Sequence, residues 1–417
     1  MENKNYVKNR PRVVNLGCRL NFFESEIIKD ILVSKKINNT IVVNTCAVTN
    51  SAVSKSINEI KKVSKKFPNS KIIVTGCASQ IDKKKFRSLP NVSKIIDNKV
   101  KTESNSYTLS KDNQFNKYKF PNFNNLISTR TRATLQIQQG CDHRCTFCII
   151  PFGRGDAVSL PLGDVNKRLR NIISLGYKEV TFTGIDLTSY GSDLPGKPNL
   201  GNLIKRVLLD NPNLSRLRLS SIDPAEIDNE LLDLMCYEKR LLPHFHLSIQ
   251  SGDNLILKRM KRRHNREDVI RVCKKIKKLR QEVTFGADLI VGFPTESEIH
   301  FSNTLELVKS CSLSNVHIFP FSPKENTPAS KMPQVDEYKK KKRIAKLRIT
   351  CDEVLQKLMQ EKKGKKIKVL FESTNLSYTD DFFKVKVENS SNKRLKKGEI
   401  IEVKVLNNNE KFLKAIV

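Results

Sequence analysis

The chain has 417 residues, 38% of them hydrophobic and 29% charged, enough for two or three domains with real cores. Lys and Arg number 76 against 43 Asp and Glu, a formal net charge of +33. That excess suits a polyanionic partner, nucleic acid first, and is equally in keeping with the Lys-, Asn- and Ile-rich, Trp-free composition of an AT-biased gene. No apolar run approaches the roughly 20 residues that span a bilayer, which excludes a helical membrane anchor. The polar start Met1–Tyr6 lacks the apolar stretch of a secretory signal. The expectation is a cytoplasmic enzyme with no membrane partner, whose ten cysteines do not form disulfides.

Residues 10–100 alternate strand and helix patterns. Arg12–Leu16, Thr40–Asn44 and Lys71–Thr75 are short β-branched runs, with helical stretches at Phe22–Lys35 and Ser51–Phe67 between them. Such alternation predicts a parallel sheet covered by helices, an αβα domain. Residues 101–131 are polar, lack periodicity and read as a linker.

A second αβ series fills residues 132–335. Its strand candidates are Thr134–Gln138, Glu179–Thr183, Ser215–Ser220, Phe245–Gln250, Thr284–Ile290 and Val316–Phe319, with helices such as Arg266–Leu279 and Glu298–Ser310 between them. Six strands with crossovers predict an open or partial (β/α)6 barrel, whose ligand site lies at the C-terminal ends of the strands. A basic helix follows over 336–362. Its apolar stripe is Ile344, Leu347, Cys351, Val354, Leu355 and Leu358. Beyond it, residues 363–417 change to period two, as in Ile367/Val369/Phe371 and Ile401/Val403/Val405. This predicts a small antiparallel β-barrel of OB-like size, whose outward Lys residues either track phosphate or form a solvated face.

The chemistry is concentrated in the cysteines. Cys141, Cys145 and Cys148, spaced C-x3-C-x2-C, follow the first strand of the second series. Three thiolates on one loop hold three irons of a [4Fe-4S] cluster and leave the fourth open, whereas ordinary clusters take four Cys. An open iron can chelate the amino and carboxylate groups of S-adenosyl-L-methionine and pass it an electron, which makes these three residues the catalytic centre. The rival reading is structural zinc, which usually takes a closed set of four ligands; His143, inside the same tight loop, could not easily complete a tetrahedron. Phe147 is placed to pack against an adenine. Ser220, Gln250 and Asp288, at strand ends, are candidates for the cofactor's ribose or methionine part, and each could equally be a turn or capping residue. Cys236, Cys273, Cys311 and Cys351 sit in apolar-periodic contexts and read as buried hydrophobes. Cys18, Cys46 and Cys77 each follow a strand of the first domain, 27 and 30 residues apart, so they would converge on one sheet edge. Alone, they would more readily read as buried structural thiols.

These motifs resemble the radical S-adenosylmethionine methylthiotransferases over nearly the whole chain. The resemblance is carried by Asn15–Asn21, Asn44-Thr45-Cys46, Thr75-Gly76-Cys77, Cys148–Gly155, Thr183-Gly184-Ile185-Asp186, Leu219–Pro224, His246–Gly252, Lys258-Arg259-Met260, Asp288–Pro294 and Phe319–Pro323. It implies a second [4Fe-4S] cluster on Cys18, Cys46 and Cys77, metal ligation by all six cysteines, cofactor contacts that include Thr183 and Gly184, and a C-terminal RNA-binding TRAM domain. It further implies a tRNA anticodon loop as substrate and a small flavin or iron–sulfur protein as electron donor. Cys18–Glu26, His143–Ile150 and Val316–Ser322 look most like the MtaB-type branch, which methylthiolates N6-threonylcarbamoyladenosine next to the anticodon; the other branches act on isopentenyladenosine in tRNA or on a ribosomal-protein aspartate. A further alternative is a non-enzymatic iron–sulfur RNA-binding protein. The chain departs from the family pattern at Val158 and Thr295, where Arg and Gly are usual, and at Lys324–Thr327, which stands for an Arg-x-Gly-Thr pattern.

Overall fold

The computed structural model describes residues 10–108, 118–121, 131–389 and 394–417. These form two compact units. The described parts of the first are residues 10–108, 118–121, 138–158 and 322–327; the second holds the remainder. Much of the segment expected as linker, including 109–117 and 122–130, lies outside the described residues.

The first unit is built on four parallel strands in the order β1-β2-β3-β4: β1 (Arg12–Asn15), β2 (Thr40–Thr45), β3 (Lys71–Gly76) and β4 (Val92–Ile95). Successive strand residues point to opposite faces. Ile41, Val43, Ile72 and Val74 therefore pack one core with Ile60 and Phe86, while Val42 and Ile73 pack another with Ile28 and Leu32. Each such buried side chain contributes about 1.5–3 kcal/mol, which is why these strands read as continuous apolar runs. β4 carries only Val92 and Ile95 as apolar anchors and is too short to show in the sequence. Residues 101–108 correct the linker expectation: they form a short helix, Asn105–Thr108, and Lys101, Ser106 and Tyr107 are buried in this unit.

The second unit contains the six parallel core strands. β5 (Arg132–Gln136) precedes two-residue strands β6 (Gln138–Gln139) and β7 (Val158–Ser159), which bracket the cysteine loop in sequence. Then come β8 (Glu179–Thr183), β9 (Arg216–Leu219), β10 (His244–Gln250), β11 (Thr284–Val291) and β12 (Leu313–Pro320). β5-β8-β9 and β10-β11-β12 are two three-stranded sheets, joined by the parallel bridges Leu217↔Leu241 and Ile222↔Leu247. The result is the expected partial barrel. Helices Arg266–Leu279 and Glu298–Ser310 have the bounds predicted, each fixed by a capping box at Asn265 or Ser297.

Helix Glu337–Gln360 leads into a closed five-stranded barrel: β13 (Lys366–Leu370), β14 (Ser377–Thr379), β15 (Lys384–Glu388), β16 (Ile400–Asn408) and β17 (Leu413–Ile416). β14 has three residues, too few to show as a strand in the sequence, and the pairing of β15 with β17 is parallel, not antiparallel. Of the four cysteines expected to be buried, Cys236, Cys273 and Cys311 are; Cys351, on the long helix, is only half-buried.

The small barrel packs on the N-terminal ends of the core strands. Glu179, which opens β8, is buried under Arg216 and Arg218 of β9, at 3.0 and 2.9 Å. Arg216 also pairs with Asp380, and Arg218 lies 4.8 Å over the Phe382 ring. His244 stacks on Phe382 with centroids 5.0 Å apart, and Thr284 Oγ1 donates to the Asp381 carbonyl at 2.7 Å. Burial would raise the Glu179 carboxyl, but Arg218, Arg216 and Arg132 outweigh it and hold the group down to about 2. A depressed folded value gives stability that is complete above the ordinary glutamate range and is lost as pH falls through about 2. Glu179→Gln leaves cations uncompensated and is expected to cost about 3–5 kcal/mol at neutral pH. In denaturant melts from pH 7 down to 2, the gap between wild type and variant should close on acidification; a constant gap would show that the charge is not what matters.

Candidate active site

Parallel strands of one sheet deliver their following turns to a single edge. Cys18 directly follows the Gly17 that closes the β1 turn, and Cys46 and Cys77 directly follow β2 and β3. Thr45 is in register with Gly76, so Cys46 and Cys77 leave the sheet level with each other. Gly76 has φ +101°, and a Cβ there would lie 2.3 Å from the Thr45 carbonyl oxygen. Only glycine allows β3 to turn at that point. Cys46 and Cys77 are buried and Cys18 is exposed. Burial raises the Cys46 thiol, and Cys77 and Cys18 raise it further.

A polar network lies beneath this triad. Asn21 Nδ2 donates to the Thr45 carbonyl at 3.0 Å, and Asn44 Nδ2 donates to the Asn21 carbonyl at 2.9 Å. Arg154 is 3% exposed. Its Nε donates to Cys77 Sγ at 3.1 Å, its Nη2 to Glu24 Oε2 at 3.0 Å and to Asn21 Oδ1. Lys101, with no exposed surface, pairs with the same Glu24 carboxylate and reaches Asn44 Oδ1 at 3.4 Å. Burial would raise the Glu24 carboxyl, but Arg154 and Lys101 hold it low and charged. Lys324 is also buried nearby, its Nζ donating to Asn50 Oδ1 at 2.9 Å; burial lowers its ammonium to about 8.

The cysteine loop belongs to the same unit. Gly140 has φ +76°, with the Asp156 carbonyl oxygen 1.9 Å from where a Cβ would stand. The loop is closed by Cys141 N–H to the Gly155 carbonyl at 3.1 Å, Ala157 N–H to Asp142 Oδ1 at 2.9 Å, and Arg144 Nη2 to Asp156 Oδ1 at 3.0 Å. Cys148 N–H donates to the Cys145 carbonyl at 3.0 Å and closes a tight turn between the second and third cysteines. All three cysteines are half-buried thiols, as is Phe147 beside them in its exposure. Both sets thus present reduced sulfurs on backbone that local hydrogen bonds hold in place, and both fit iron–sulfur ligation.

In the second unit Thr183, Gly184, Ser220 and Gln250 lie at or just past the C-terminal ends of their strands, while Asp288, expected at a strand end, stands within β11. Thr183 ends β8, Gly184 follows it, and Ser220 follows β9. Ser220 Oγ is buried with no hydrogen-bond partner among the described residues, a group in want of a ligand. Gln250 ends β10 at φ +75°, next to a register shift between Leu247 and Gln250. Such backbone in a non-glycine residue is a mark of functional sites. Asp288 Oδ1 binds His246 Nε2 and His317 Nδ1, both at 2.9 Å. Burial would raise this carboxyl; the two imidazoles hold it well below the ordinary range. Neither histidine stands out as a site residue in the sequence, although each lies within a motif that carries the family resemblance.

The comparisons decide the family. A protein in Rickettsia prowazekii named "Threonylcarbamoyladenosine tRNA methylthiotransferase MtaB" is 43% identical over 98% of this chain and 97% of its own length. An Aquifex aeolicus protein of the same name is 33% identical over 89% and 95%. The chain belongs to the radical S-adenosylmethionine methylthiotransferases. Residues 135–308 match the Radical SAM superfamily, and residues 10–97 match Uncharacterized protein family UPF0004. An Orientia tsutsugamushi protein named "tRNA-2-methylthio-N(6)-dimethylallyladenosine synthase" is 30% identical over 94% of both chains. Among solved structures, the radical S-adenosylmethionine methyltransferase TsrM of Kitasatospora setae aligns with TM-score 0.57 at 11% identity, over 77% of this chain and 76% of that one, a likeness of fold alone.

This methylthiotransferase therefore uses S-adenosylmethionine and a [4Fe-4S] cluster, as its superfamily implies. Its departures from the family pattern also gain an account. Thr295 and Asn326 both stand where the family has glycine, and both adopt left-handed backbone, with φ +69° and +67°. The Thr295 hydroxyl accepts from Arg259 Nη1 at 2.6 Å, and Asn is the residue that best tolerates this conformation after Gly. The backbone shape is kept while its glycine is not. Val158 lies half-buried in β7, and nothing among the described residues explains this substitution.

Because Gly76 is both left-handed and closed in, Gly76→Ala combines backbone strain with overpacking and is expected to destabilise the first unit by about 3 kcal/mol. Urea unfolding monitored by limited proteolysis of that unit checks this; an unchanged midpoint would mean the turn is not constrained.

Proposed function

We propose that this enzyme is a tRNA methylthiotransferase that inserts sulfur and a methyl group at C2 of N6-threonylcarbamoyladenosine next to the anticodon. The observation that carries this reading is the pair of three-cysteine sites, together with the activity for which relatives as similar as 43% are named. The C2–H of adenine has no usable acidity near neutral pH, so acid–base residues alone could not activate it, and a cofactor must supply the hard chemistry. When bound, S-adenosylmethionine and the cluster supply a hydrogen-abstracting radical and the methyl group.

The chain's own residues hold and position. Cys141, Cys145 and Cys148 ligate the radical cluster and leave one iron for the cofactor. Thr183, Gly184, Ser220, Gln250 and Asp288 hold its adenosyl and methionine parts, with Phe147 against the adenine. Cys18, Cys46 and Cys77 would hold a second cluster, which would supply the sulfur. The buried charge supports this second assignment. Lys101 and Arg154 share one carboxylate, Glu24, so a buried positive charge is left over, and Arg154 Nε points it at Cys77. A neutral structural thiol would leave that charge unbalanced; an anionic thiolate cluster balances it.

RNA binding by the C-terminal, TRAM-like barrel has support in its register. Lys366 is opposite Lys404, and Lys386 is opposite Lys414, all exposed. Like charges directly across a sheet are destabilising, and phosphate offsets the cost. A single-stranded loop also lets a base leave its stack at a smaller cost than a duplex does. A small flavin or iron–sulfur protein is the proposed electron donor, and the cytoplasm the proposed location.

Replacing Cys141, Cys145 and Cys148 with Ala should abolish 5′-deoxyadenosine formation, while replacing Cys18, Cys46 and Cys77 should keep it and remove sulfur insertion. Nucleoside mass spectrometry of tRNA from a deletion strain should show unmethylthiolated threonylcarbamoyladenosine accumulating. Disappearance of methylthio-isopentenyladenosine instead, or of a modified ribosomal-protein aspartate, would replace the substrate assignment. Lys386→Gln with Lys414→Gln should weaken tRNA binding and reduce the log–log salt slope by about 2, one for each phosphate no longer neutralised; an unaltered slope would take this face out of the RNA site.

A further inference from the structure

Arg154, six residues beyond Cys148, ends the short helix Ile150–Arg154 that follows the radical-cluster cysteines, and it reaches a cysteine of the other triad. Its guanidinium is used on three sides: Nε toward Cys77, Nη1 and Nη2 on Glu24, and Nη2 on Asn21. Glu24 in turn is shared with Lys101, which Tyr107 anchors through its hydroxyl to the Lys101 carbonyl at 2.6 Å. Asn98 Nδ2 donates to the Gly153 carbonyl, fixing the backbone just before Arg154 at 2.5 Å. A rigid fork held this way gives up little freedom in aiming one N–H at sulfur.

We infer that Arg154 is a positioning residue for the cluster on Cys18, Cys46 and Cys77, and that it, with Glu24 and Lys101, sets that cluster's reduction potential. The inference rests on the second-cluster assignment under Proposed function. Two physical effects act together. A hydrogen bond to a ligand sulfur draws electron density from the iron, and a net positive charge in a buried site favours the reduced, more negative cluster. The network carries two cations and one anion, so its sign is positive. Removing Arg154 should make the cluster harder to reduce, and removing Glu24 should make it easier. Damage to the fold alone would not give shifts of opposite sign.

The test uses the full chain with Cys141, Cys145 and Cys148 replaced by Ala, reconstituted anaerobically with iron and sulfide, so that only the triad cluster is titrated. Redox titration followed by electron paramagnetic resonance is then compared with and without Arg154→Gln, Arg154→Lys and Glu24→Gln. Arg154→Gln leaves Glu24 paired with Lys101 and so creates no orphaned buried charge. It should lower the ratio of reduced to oxidised cluster at a fixed potential by about tenfold, equivalent to about 59 mV for a one-electron couple. Arg154→Lys keeps the charge and should shift the ratio less in the same direction, and Glu24→Gln should raise it. If Glu24→Gln does not fold, the ordering of the two Arg154 variants decides. Unchanged potentials in both Arg154 variants, or shifts of one sign in all three, would overturn the inference. A parent protein that takes up no iron would overturn the second-cluster assignment itself, and this inference with it.

Discussion

The functional groups of this enzyme stand where they do because parallel strands share a direction. In a parallel sheet each strand ends on the same edge, and the backbone leaves the hydrogen-bonded ladder there, so side chains on the following turns are released from strand geometry and collected together. The first unit places Cys18, Cys46 and Cys77 after three adjacent strands. The second places Thr183, Ser220 and Gln250 at or just past the ends of β8, β9 and β10, with Asp288 on the neighbouring β11. Unusual backbone occurs on those edges: Gly76 takes the positive φ that glycine allows, Gln250 takes it with strain, and the ladder slips just before Gln250. The opposite ends of the core strands are used differently. There, Glu179, Arg216 and Arg218 form a buried ion cluster that docks the small barrel. One end of the strands therefore carries chemistry and the other carries assembly.

Buried charge is handled by opposite means in the two places. Around Glu179, Asp380 and Glu372 of the small barrel add a second and a third carboxylate, beside Arg216 and Arg132, so that three carboxylates face three arginines. Around Glu24 the cations are in excess and the surplus is directed at Cys77. Taking such groups out of water is costly unless each is matched. The first arrangement is self-sufficient. The second is complete only with an anion, and this difference separates a structural ion cluster from one built around a ligand.

The departures from the family pattern show which property of a glycine matters. At Thr295 and Asn326 the chain retains the left-handed turn with a side chain in it. Each of these residues has a local hydrogen-bonding capacity that glycine lacks, and Arg259 uses the Thr295 hydroxyl. Gly76 and Gly140 have no such freedom, since a Cβ would strike backbone at 2.3 and 1.9 Å. Where only the dihedral is demanding, substitution is tolerated; where space is closed as well, glycine remains.

The sequence by itself determined the three-part αβ, barrel and β-domain plan, the ends of helices such as Arg266–Leu279, and the Cys141, Cys145 and Cys148 run. These are local signals, periodicity and spacing on a continuous segment; Cys18, Cys46 and Cys77, spread over two βα repeats, stood out as a set only through the family resemblance. It also placed Ser220 and Gln250 at strand ends, because strand direction is legible from connection length, whereas Asp288 lies inside β11 and not at its end. Only the tertiary structure decided the rest. Lys101 reads as linker because its segment is polar, and its burial depends on Glu24, far earlier in the chain. His246 and His317 flank Asp288 only because β10 and β12 pair on either side of β11. Arg154 looks like part of a loop motif, and its partner Cys77 lies in another βα repeat. Charge pairing between distant segments leaves no periodic trace in a chain, so it emerges only when the fold brings the partners together.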